Sequence, residues 1–358
     1  MLKFLLRLLS ALMICATLVV AWAVIEYRHF VDMPLDTGAH GMTYEIRPGM
    51  GLKEVGQELS ERGVIKHWAY LAAMGQWQGR AQLIKAGEYR LAPAITPQQL
   101  LDQIVAGQVL EHALTIVEGW TFRQFLTAVH RKAELSHTLV GLNDQQIMDR
   151  IGRPGEQPEG RFFPDTYHFT KGLSDVAFLQ RAYRAMSAYL ESEWQKRDPQ
   201  LPLADPYQAL ILASIVEKET GLASERKAIA GVFTRRLQQG MRLQTDPTVI
   251  YGLGMAYDGN IRRSDLTTDT PYNTYLRAGL PPTPIALPGA DSIHAVLHPQ
   301  PGNALFFVSR GDGSHEFSET LEAHNKAVLK YQLKGRATVA PDEASAPVLK
   351  PSLGPKSR

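Results

Sequence analysis

Residues 207–240, YQALILASIVEKETGLASERKAIAGVFTRRLQQG, predict two helices separated by a break at Thr220-Gly221. In the first helix, apolar residues including Leu212, Ile215 and Val216 recur at helical spacing. They form one broad stripe, which is typical of a helix that packs against a core. The second helix begins near Ser224 and carries its own apolar face. We therefore expect the rest of the domain to be built around this pair of helices.

Two carboxylates near the end of the first helix are expected to face different surroundings. Glu219 falls within the apolar stripe, three residues after Val216. Glu217 lies about 200° away around the helix, on the side of Ser214, and should face water. Apolar surroundings disfavour the ionised form and raise the pKa of a carboxyl, which a general acid requires. The alternative is that Glu219 turns to solvent at the helix end or pairs with Arg226.

Further motifs occur in order along the chain. ASIVEKET at 213–220 is followed by SER at 224–226 and by MRLQTDPTVIYG at 241–252. EGRFFPDTY lies upstream at 159–167, and PYNTYLRAGLPPTPIALPG at 271–289 and HNKAV at 324–328 lie downstream. Together they resemble the YceG family of membrane-anchored endolytic murein transglycosylases, also called MltG. The resemblance covers nearly the whole chain and implies activity on the glycan strands of peptidoglycan.

An apolar stretch at residues 8–25 is long enough to span a bilayer, and Lys3 and Arg7 precede it. A cleaved signal peptide is the alternative, because Ala21-Trp22-Ala23 resembles a cleavage site. The apolar run of a signal peptide is shorter, however, which favours a retained anchor. We predict a cytoplasmic segment at 1–7, a single-pass anchor in the inner (cytoplasmic) membrane and a catalytic domain in the periplasm. The single cysteine, Cys15, lies in the anchor, so no disulfide is expected.

The exported part is predicted to be α+β and to contain two folded units. After a linker at 26–42, residues 43–108 follow a strand, helix, helix, strand pattern that resembles a LysM-like module, which the family carries at this place. LysM modules bind glycans that contain N-acetylglucosamine, but this one could equally be a spacer or a support. Residues 109–334 form the larger mixed α+β catalytic domain, with its glutamate on a core helix. Residues 335–358 should be a disordered tail.

The net charge of +2 argues against a nucleic-acid partner, which would require a concentrated basic face. A metal is not expected, because no local zinc-like cluster surrounds His315 or His324, and no cofactor is expected. Glu118 precedes a glycine and is interpreted as a turn carboxylate rather than a catalytic one. The expected partners are peptidoglycan, the membrane and possible peptidoglycan synthases.

Several side chains are candidates for substrate binding. Phe163 and Asp165 place an aromatic ring and a carboxylate together, as in a glycan cleft, although the rings of this segment could instead be core. By composition alone, Gln244, Thr245 and Asp246 form only a turn before a proline. The family resemblance instead implies that they line the active cleft. The rim would come from three residues that carry phenol or amide groups and that could otherwise cap a loop: Tyr272, Asn273 and Tyr275.

Most glycosidases use two carboxylates, whereas this chain offers one well-placed candidate, with Asp246 and Asp165 as possible seconds. The resemblance implies that Glu219 protonates the oxygen between N-acetylmuramic acid and N-acetylglucosamine. It would then accept a proton from the muramyl 6-hydroxyl, which attacks its own anomeric carbon. The product is a 1,6-anhydro end, and strand elongation would stop there. A hydrolytic muramidase and a non-catalytic membrane-anchored peptidoglycan-binding protein are the alternatives.

Overall fold

The computed structural model describes residues 2–332, and within them the chain is a mixed α+β protein. The described strands pair into three separate two-stranded sheets, so helices supply most of the packing surfaces. The chain divides into two compact units. The first contains the described residues up to His112 together with His168–Gly172, and the second contains Ala113–Tyr167 and the described residues from Leu173 onward. The predicted disordered tail at 335–358 lies outside the described residues.

The first helix, α1 (Leu2–Asp32), is long and apolar enough to cross a membrane over Leu6–Asp32, a test that a signal sequence also passes. Its apolar side chains between Leu6 and Ile25 are exposed. The helix continues past the predicted span and ends at Asp32. Near that end Phe30 is buried in the core of the first unit, where its ring packs edge-on against Tyr70.

The remainder of the first unit contains β1 (Met42–Ile46), α2 (Leu52–Glu61), α3 (Trp68–Trp77), β2 (Gly87–Leu91) and α4 (Pro97–Ala106). β1 and β2 are antiparallel and place Tyr44 opposite Tyr89, and both residues are fully buried. α4 begins after Thr96, whose hydroxyl caps the helix by accepting a hydrogen bond from the amide of Gln99 at 3.2 Å. The strand, helix, helix, strand order is present.

Next along the chain come β3 (Glu111–Thr115), α5 (Phe122–Arg131), α6 (Asp144–Arg150) and β4 (Thr166–Thr170), and β3 pairs with β4. Five helices follow: α7 (Asp175–Gln195), α8 (Pro206–Glu219), α9 (Arg226–Gln238), α10 (Asp246–Leu253) and α11 (Arg263–Thr267). The last elements are α12 (Ala290–Leu297), β5 (Phe306–Ser309), β6 (His315–Ser318) and α13 (Leu321–Tyr331). β5 and β6 form an antiparallel hairpin.

Helix α8 lies at the centre of the second unit. It starts where the Asp205 carboxylate accepts a hydrogen bond from the amide of Gln208 at 2.9 Å, and it ends where Thr220 becomes extended. Eight consecutive residues, Ala209–Val216, are buried, because α7, α9, α10 and α12 all pack on α8. The prediction that the side of Ser214 faces water is therefore wrong. The Ser214 hydroxyl is fully buried and accepts a hydrogen bond from the amide of Ile285 at 2.9 Å.

Candidate active site

Glu219 is the last residue of α8, and its carboxyl meets the turn that precedes α10. The hydroxyl of Thr245 donates a hydrogen bond to Oε2 of Glu219 at 2.7 Å. Burial raises the pKa of the Glu219 carboxyl to about 7, with a further increase from the charge of Asp246. The Thr245 hydrogen bond and the Arg236 cation act in the opposite direction. A carboxyl with this pKa is present in both protonation states near neutral pH, so it can serve as an acid and as a base.

Glu217 lies against the start of α12, so the prediction that it faces water is wrong. Its side chain is only 7% exposed. The carboxylate accepts hydrogen bonds from the amide of Gly289 at 3.0 Å and from the hydroxyl of Ser292 at 2.7 Å, at the start of α12. A carboxylate at this place satisfies amides that the first turn of a helix leaves unpaired. Arg226 lies near Glu217 and Asp291 rather than pairing with Glu219.

The backbone of Thr245 is held by a ring of hydrogen bonds that it forms with two other buried threonines, Thr248 and Thr274. The amide of Thr245 donates to the hydroxyl of Thr274 at 3.1 Å, and the hydroxyl of Thr248 donates to the carbonyl of Thr245 at 2.7 Å. The hydroxyls of Thr248 and Thr274 lie 2.8 Å apart. Because the Thr248 proton is already committed, Thr274 is the donor in that contact. The ring fixes the backbone of Thr245 and so directs its own hydroxyl to Glu219.

Gln244 and Arg236 define the backbone just before Thr245. Gln244 adopts a positive φ of 53°, which is uncommon for a residue other than glycine. The guanidinium of Arg236 donates to the carbonyl of Leu243 at 2.8 Å and to the Gln244 side-chain oxygen at 3.4 Å. Arg236 is itself buried, and burial lowers its pKa. The sequence reasoning missed Arg236, although it lies four residues after Val232 and three after Phe233, within the inner face of α9.

Asp246 and Tyr275 form a second polar pair beside Glu219. The Tyr275 hydroxyl donates to the Asp246 carboxylate at 2.6 Å. Burial raises the pKa of Asp246, and the Tyr275 hydrogen bond opposes this rise. Burial and the neighbouring Asp246 charge raise the pKa of Tyr275, so its phenol stays protonated and remains a donor. The structure therefore brings Thr245, Asp246 and Tyr275 to the region of Glu219.

Tyr272 and Asn273 are turned inward. The Tyr272 hydroxyl lies 2.8 Å from the hydroxyl of Thr283, and its ring packs edge-on against Tyr251. Asn273 is 1% exposed. Its side-chain amide donates to backbone carbonyls, among them that of Thr268 at 2.8 Å, and its oxygen accepts from the amide of Tyr275 at 2.9 Å. This is the loop-capping arrangement, and it fixes the backbone at Tyr275.

Phe163 and Asp165 lie elsewhere in the second unit. The Phe163 ring packs against Tyr189 with the centroids 5.2 Å apart and contributes to the core around α8. Asp165 is exposed just before β4, where its carboxylate accepts a hydrogen bond from the amide of Thr166 at 2.6 Å. Their surroundings favour the core interpretation for Phe163 and a turn role for Asp165.

Glu159 is a buried carboxyl that the sequence reasoning did not single out. It accepts hydrogen bonds from the amide of Phe122, the first residue of α5, at 2.9 Å and from the Tyr251 hydroxyl at 3.0 Å. Burial raises its pKa to about 7. The only sequence signal is its place at the start of EGRFFPDTY. Since Glu159 joins the start of α5 to α10, it supports the helix that follows Thr245.

His315 and His324, the two histidines considered for metal binding, contact a carboxylate and an aromatic ring respectively. His315 lies 2.7 Å from Glu225 through Nδ1, and its amide donates to the same carboxylate. His324 stacks on Phe306 with the ring centroids 5.3 Å apart. Burial lowers the pKa of His324. Both side chains therefore serve the packing of the β5–β6 hairpin and α13.

The model of the YceG-like family matches residues 44–330. An endolytic murein transglycosylase of Bacillus subtilis (strain 168) is 29% identical over 306 residues, which cover 80% of this chain and 83% of the relative. An endolytic murein transglycosylase of Streptococcus pneumoniae (serotype 2, strain D39) is 26% identical, with 85% of this chain and 61% of the relative covered. A crystal structure of a YceG-like protein from Listeria monocytogenes has a TM-score of 0.50 at 29% identity, with 80% and 98% of the two chains covered.

Proposed function

Since this chain belongs to the YceG-like family, we propose that it is an endolytic murein transglycosylase in which Glu219 is the catalytic acid and base. The observation that carries this assignment is the partly buried Glu219 carboxyl, whose pKa is about 7 and which receives a hydrogen bond from Thr245. The activity is that of a lyase that cuts within peptidoglycan glycan strands. The bacillary and streptococcal relatives carry the same activity in their names.

The first step uses the protonated form of Glu219. The carboxyl gives its proton to the bridging oxygen between N-acetylmuramic acid and N-acetylglucosamine, and the bond from that oxygen to the muramyl anomeric carbon breaks. Among the described residues, the hydrogen-bond donor to this carboxyl is Thr245, which occupies Oε2. The proton is therefore carried on Oε1. A pKa near 7 keeps a useful fraction of the acid form at neutral pH.

The second step uses the carboxylate that the first step leaves behind. It accepts the proton of the muramyl 6-hydroxyl while that oxygen attacks the anomeric carbon of the same sugar. The new bond closes a 1,6-anhydro ring, Glu219 is protonated again, and no water is consumed. The Thr245 hydrogen bond and the Arg236 cation stabilise the intervening carboxylate, since both lower the pKa of Glu219. One carboxyl is therefore enough for the whole cycle.

We assign supporting roles to the side chains near Glu219. Asp246 and Tyr275 present a linked carboxylate and phenol that could bind sugar hydroxyls or an acetamido group. Gln244 contributes an amide at a backbone position fixed by Arg236. Tyr272 and Asn273 act by holding the loop that carries Tyr275. Phe163 packs against Tyr189 in the core and Asp165 accepts a hydrogen bond from the amide of Thr166, so neither is assigned a supporting role at Glu219.

The first unit supports a proposal about localisation. We propose that α1 anchors the protein in the cytoplasmic membrane as a single pass, with the catalytic domain in the periplasm. Phe30 is buried in the core of the first unit, so the end of the anchor helix is part of a folded body.

The elements at residues 43–108 are proposed to be a LysM-like module that binds glycan. Peptidoglycan synthases are the proposed protein partners, since strands cut in this way stop growing.

The assignment is tested by Glu219→Gln, which keeps the size of the side chain but removes its proton transfer. Loss of combined acid and base catalysis should lower the rate of glycan cleavage by about 100-fold or more. The variant should remain folded, because the Thr245 hydroxyl can still donate to the glutamine oxygen. Full activity in a folded Glu219→Gln protein would remove Glu219 from the mechanism. Thermal denaturation of the same sample shows whether an inactive variant is still folded. Only an inactive variant that is folded has lost the chemical step.

A further inference from the structure

Three potential metal ligands converge where the end of α7 meets the end of α12 in the second unit. Glu193 lies near the end of α7, His294 lies within α12, and His298 follows the last residue of α12. Nδ1 of His294 is 2.8 Å from Oε2 of Glu193, and the two histidine rings are 4.5 Å apart between centroids. One ligand atom from each residue lies within 4.8 Å of the other two.

The fold itself produces this convergence. His294 and His298 are four residues apart, a spacing that puts two side chains on the same face of a helix. The amide of His298 still donates to the carbonyl of His294 at 2.9 Å, so the helical spacing holds to the second histidine. α12 packs against α7, and Glu193 is only 9% exposed. The carboxylate is therefore held against the histidine pair by the packing of the two helices.

We propose that Glu193, His294 and His298 form a binding site for a divalent ion of the zinc class. Two imidazole nitrogens and one carboxylate oxygen suit zinc, whereas magnesium and calcium prefer oxygen ligands. Histidines at this spacing on one helix also bind zinc in other proteins. Ligand bonds of about 2.0–2.2 Å place tetrahedral ligands about 3.3 Å apart, so small side-chain rotations close the site. Water would take the fourth position.

Lys196 is a cation that competes with a metal for Glu193. Its ammonium lies 3.1 Å from Oε1 of Glu193, whereas His294 approaches Oε2. Without a metal, the cluster is a carboxylate shared by a lysine and a histidine. A bound ion would instead tie α7 to α12, whose first turn holds Glu217 and which packs directly on α8. The site would thus stabilise the second unit, and its existence does not depend on the chemistry proposed for Glu219.

The test uses the full-length chain in detergent, without a histidine tag and freed of metal by chelation. Calorimetric titration with zinc chloride should show saturable binding at one ion per chain, and the melting temperature should rise with zinc. Magnesium chloride should produce neither effect. Absence of saturable zinc binding in the wild-type protein would overturn the proposal.

Two variants and one control locate the ion. His298→Ala leaves the Glu193–His294 contact intact, yet it should weaken zinc binding by about 100-fold or more, since even an outer partner of a metal ligand is worth 10–100-fold. Lys196→Gln keeps all three ligands and should tighten binding by removing the competing charge. His40→Ala, at an exposed histidine, should bind zinc as the wild type does. Unchanged affinity in His298→Ala would place the zinc elsewhere and contradict the proposal.

Discussion

Replacing Thr245 by valine should move the alkaline limb of the pH–rate profile to higher pH. Valine has nearly the same shape as threonine but cannot donate the 2.7 Å hydrogen bond to Oε2 of Glu219. The two backbone contacts of Thr245, to Thr274 and Thr248, do not involve its side chain and should persist. The substitution therefore removes one donor to Glu219 and leaves the surrounding turn in place.

The expected size of the shift follows from that single hydrogen bond. A hydrogen bond to a charged group contributes about 1.5–3 kcal/mol, and one pKa unit corresponds to about 1.4 kcal/mol. The Thr245 bond stabilises the carboxylate and so lowers the pKa of Glu219. Its loss should raise that pKa from about 7 by about 1–2 units. Because the acid form is the one that starts the reaction, activity should persist to higher pH.

The assay measures kcat/KM for formation of anhydro ends across the pH range, since this parameter reports the free enzyme. The matched control is Thr234→Val. Thr234 is also buried, and its hydroxyl has no hydrogen-bond partner among the described residues. Its profile should match that of the wild type. An alkaline limb that stays in place, or moves to lower pH, in Thr245→Val would refute the argument that Thr245 sets the pKa of Glu219.

Three further predictions concern the parts of the chain around this centre. Glu217→Gln should retain specific activity but lower the melting temperature by about 2–4 °C, because its neutral oxygen still accepts both hydrogen bonds but loses about 1 kcal/mol of their charge-assisted strength; an inactive, fully stable Glu217→Gln protein would require a different acid. Deletion of residues 43–108 should reduce glycan cleavage more than it reduces the melting temperature of the remainder, and full activity would show the module to be dispensable. A reporter fused after Arg358 should be active only if it functions in the periplasm, and activity of a cytoplasm-only reporter would exclude the proposed topology.

The sequence was sufficient to predict features that depend only on residues close together in the chain. The apolar spacing predicted a break between the two helices at Thr220-Gly221, and α8 does end at Glu219 with Thr220 extended. The same reasoning would have found Arg236, a cation at helical spacing within the inner face of α9. These positions depend on the geometry of one helix, which the sequence alone defines.

Other features depend on partners that are distant in the chain. The burial of Glu217 comes from Gly289 and Ser292, more than 70 residues later, so no helical pattern could reveal it. A stripe on α8 predicts one buried face, whereas α8 is packed on every side over Ala209–Val216. The roles of Asn273 and Glu159 likewise arise from loop contacts that form only in the folded chain.

The most direct test of the single-carboxyl mechanism is cleavage of glycan strands by the wild-type protein in water labelled with heavy oxygen. If the muramyl 6-hydroxyl is the nucleophile, the new ends are 1,6-anhydro sugars, lighter by one water than reducing ends, and mass spectrometry finds no label in them. Incorporation of one labelled oxygen at each new reducing end would show that water attacks instead. Glu219 could then remain the acid, but the single-carboxyl mechanism would be wrong and Asp246 would become the candidate for activating the water.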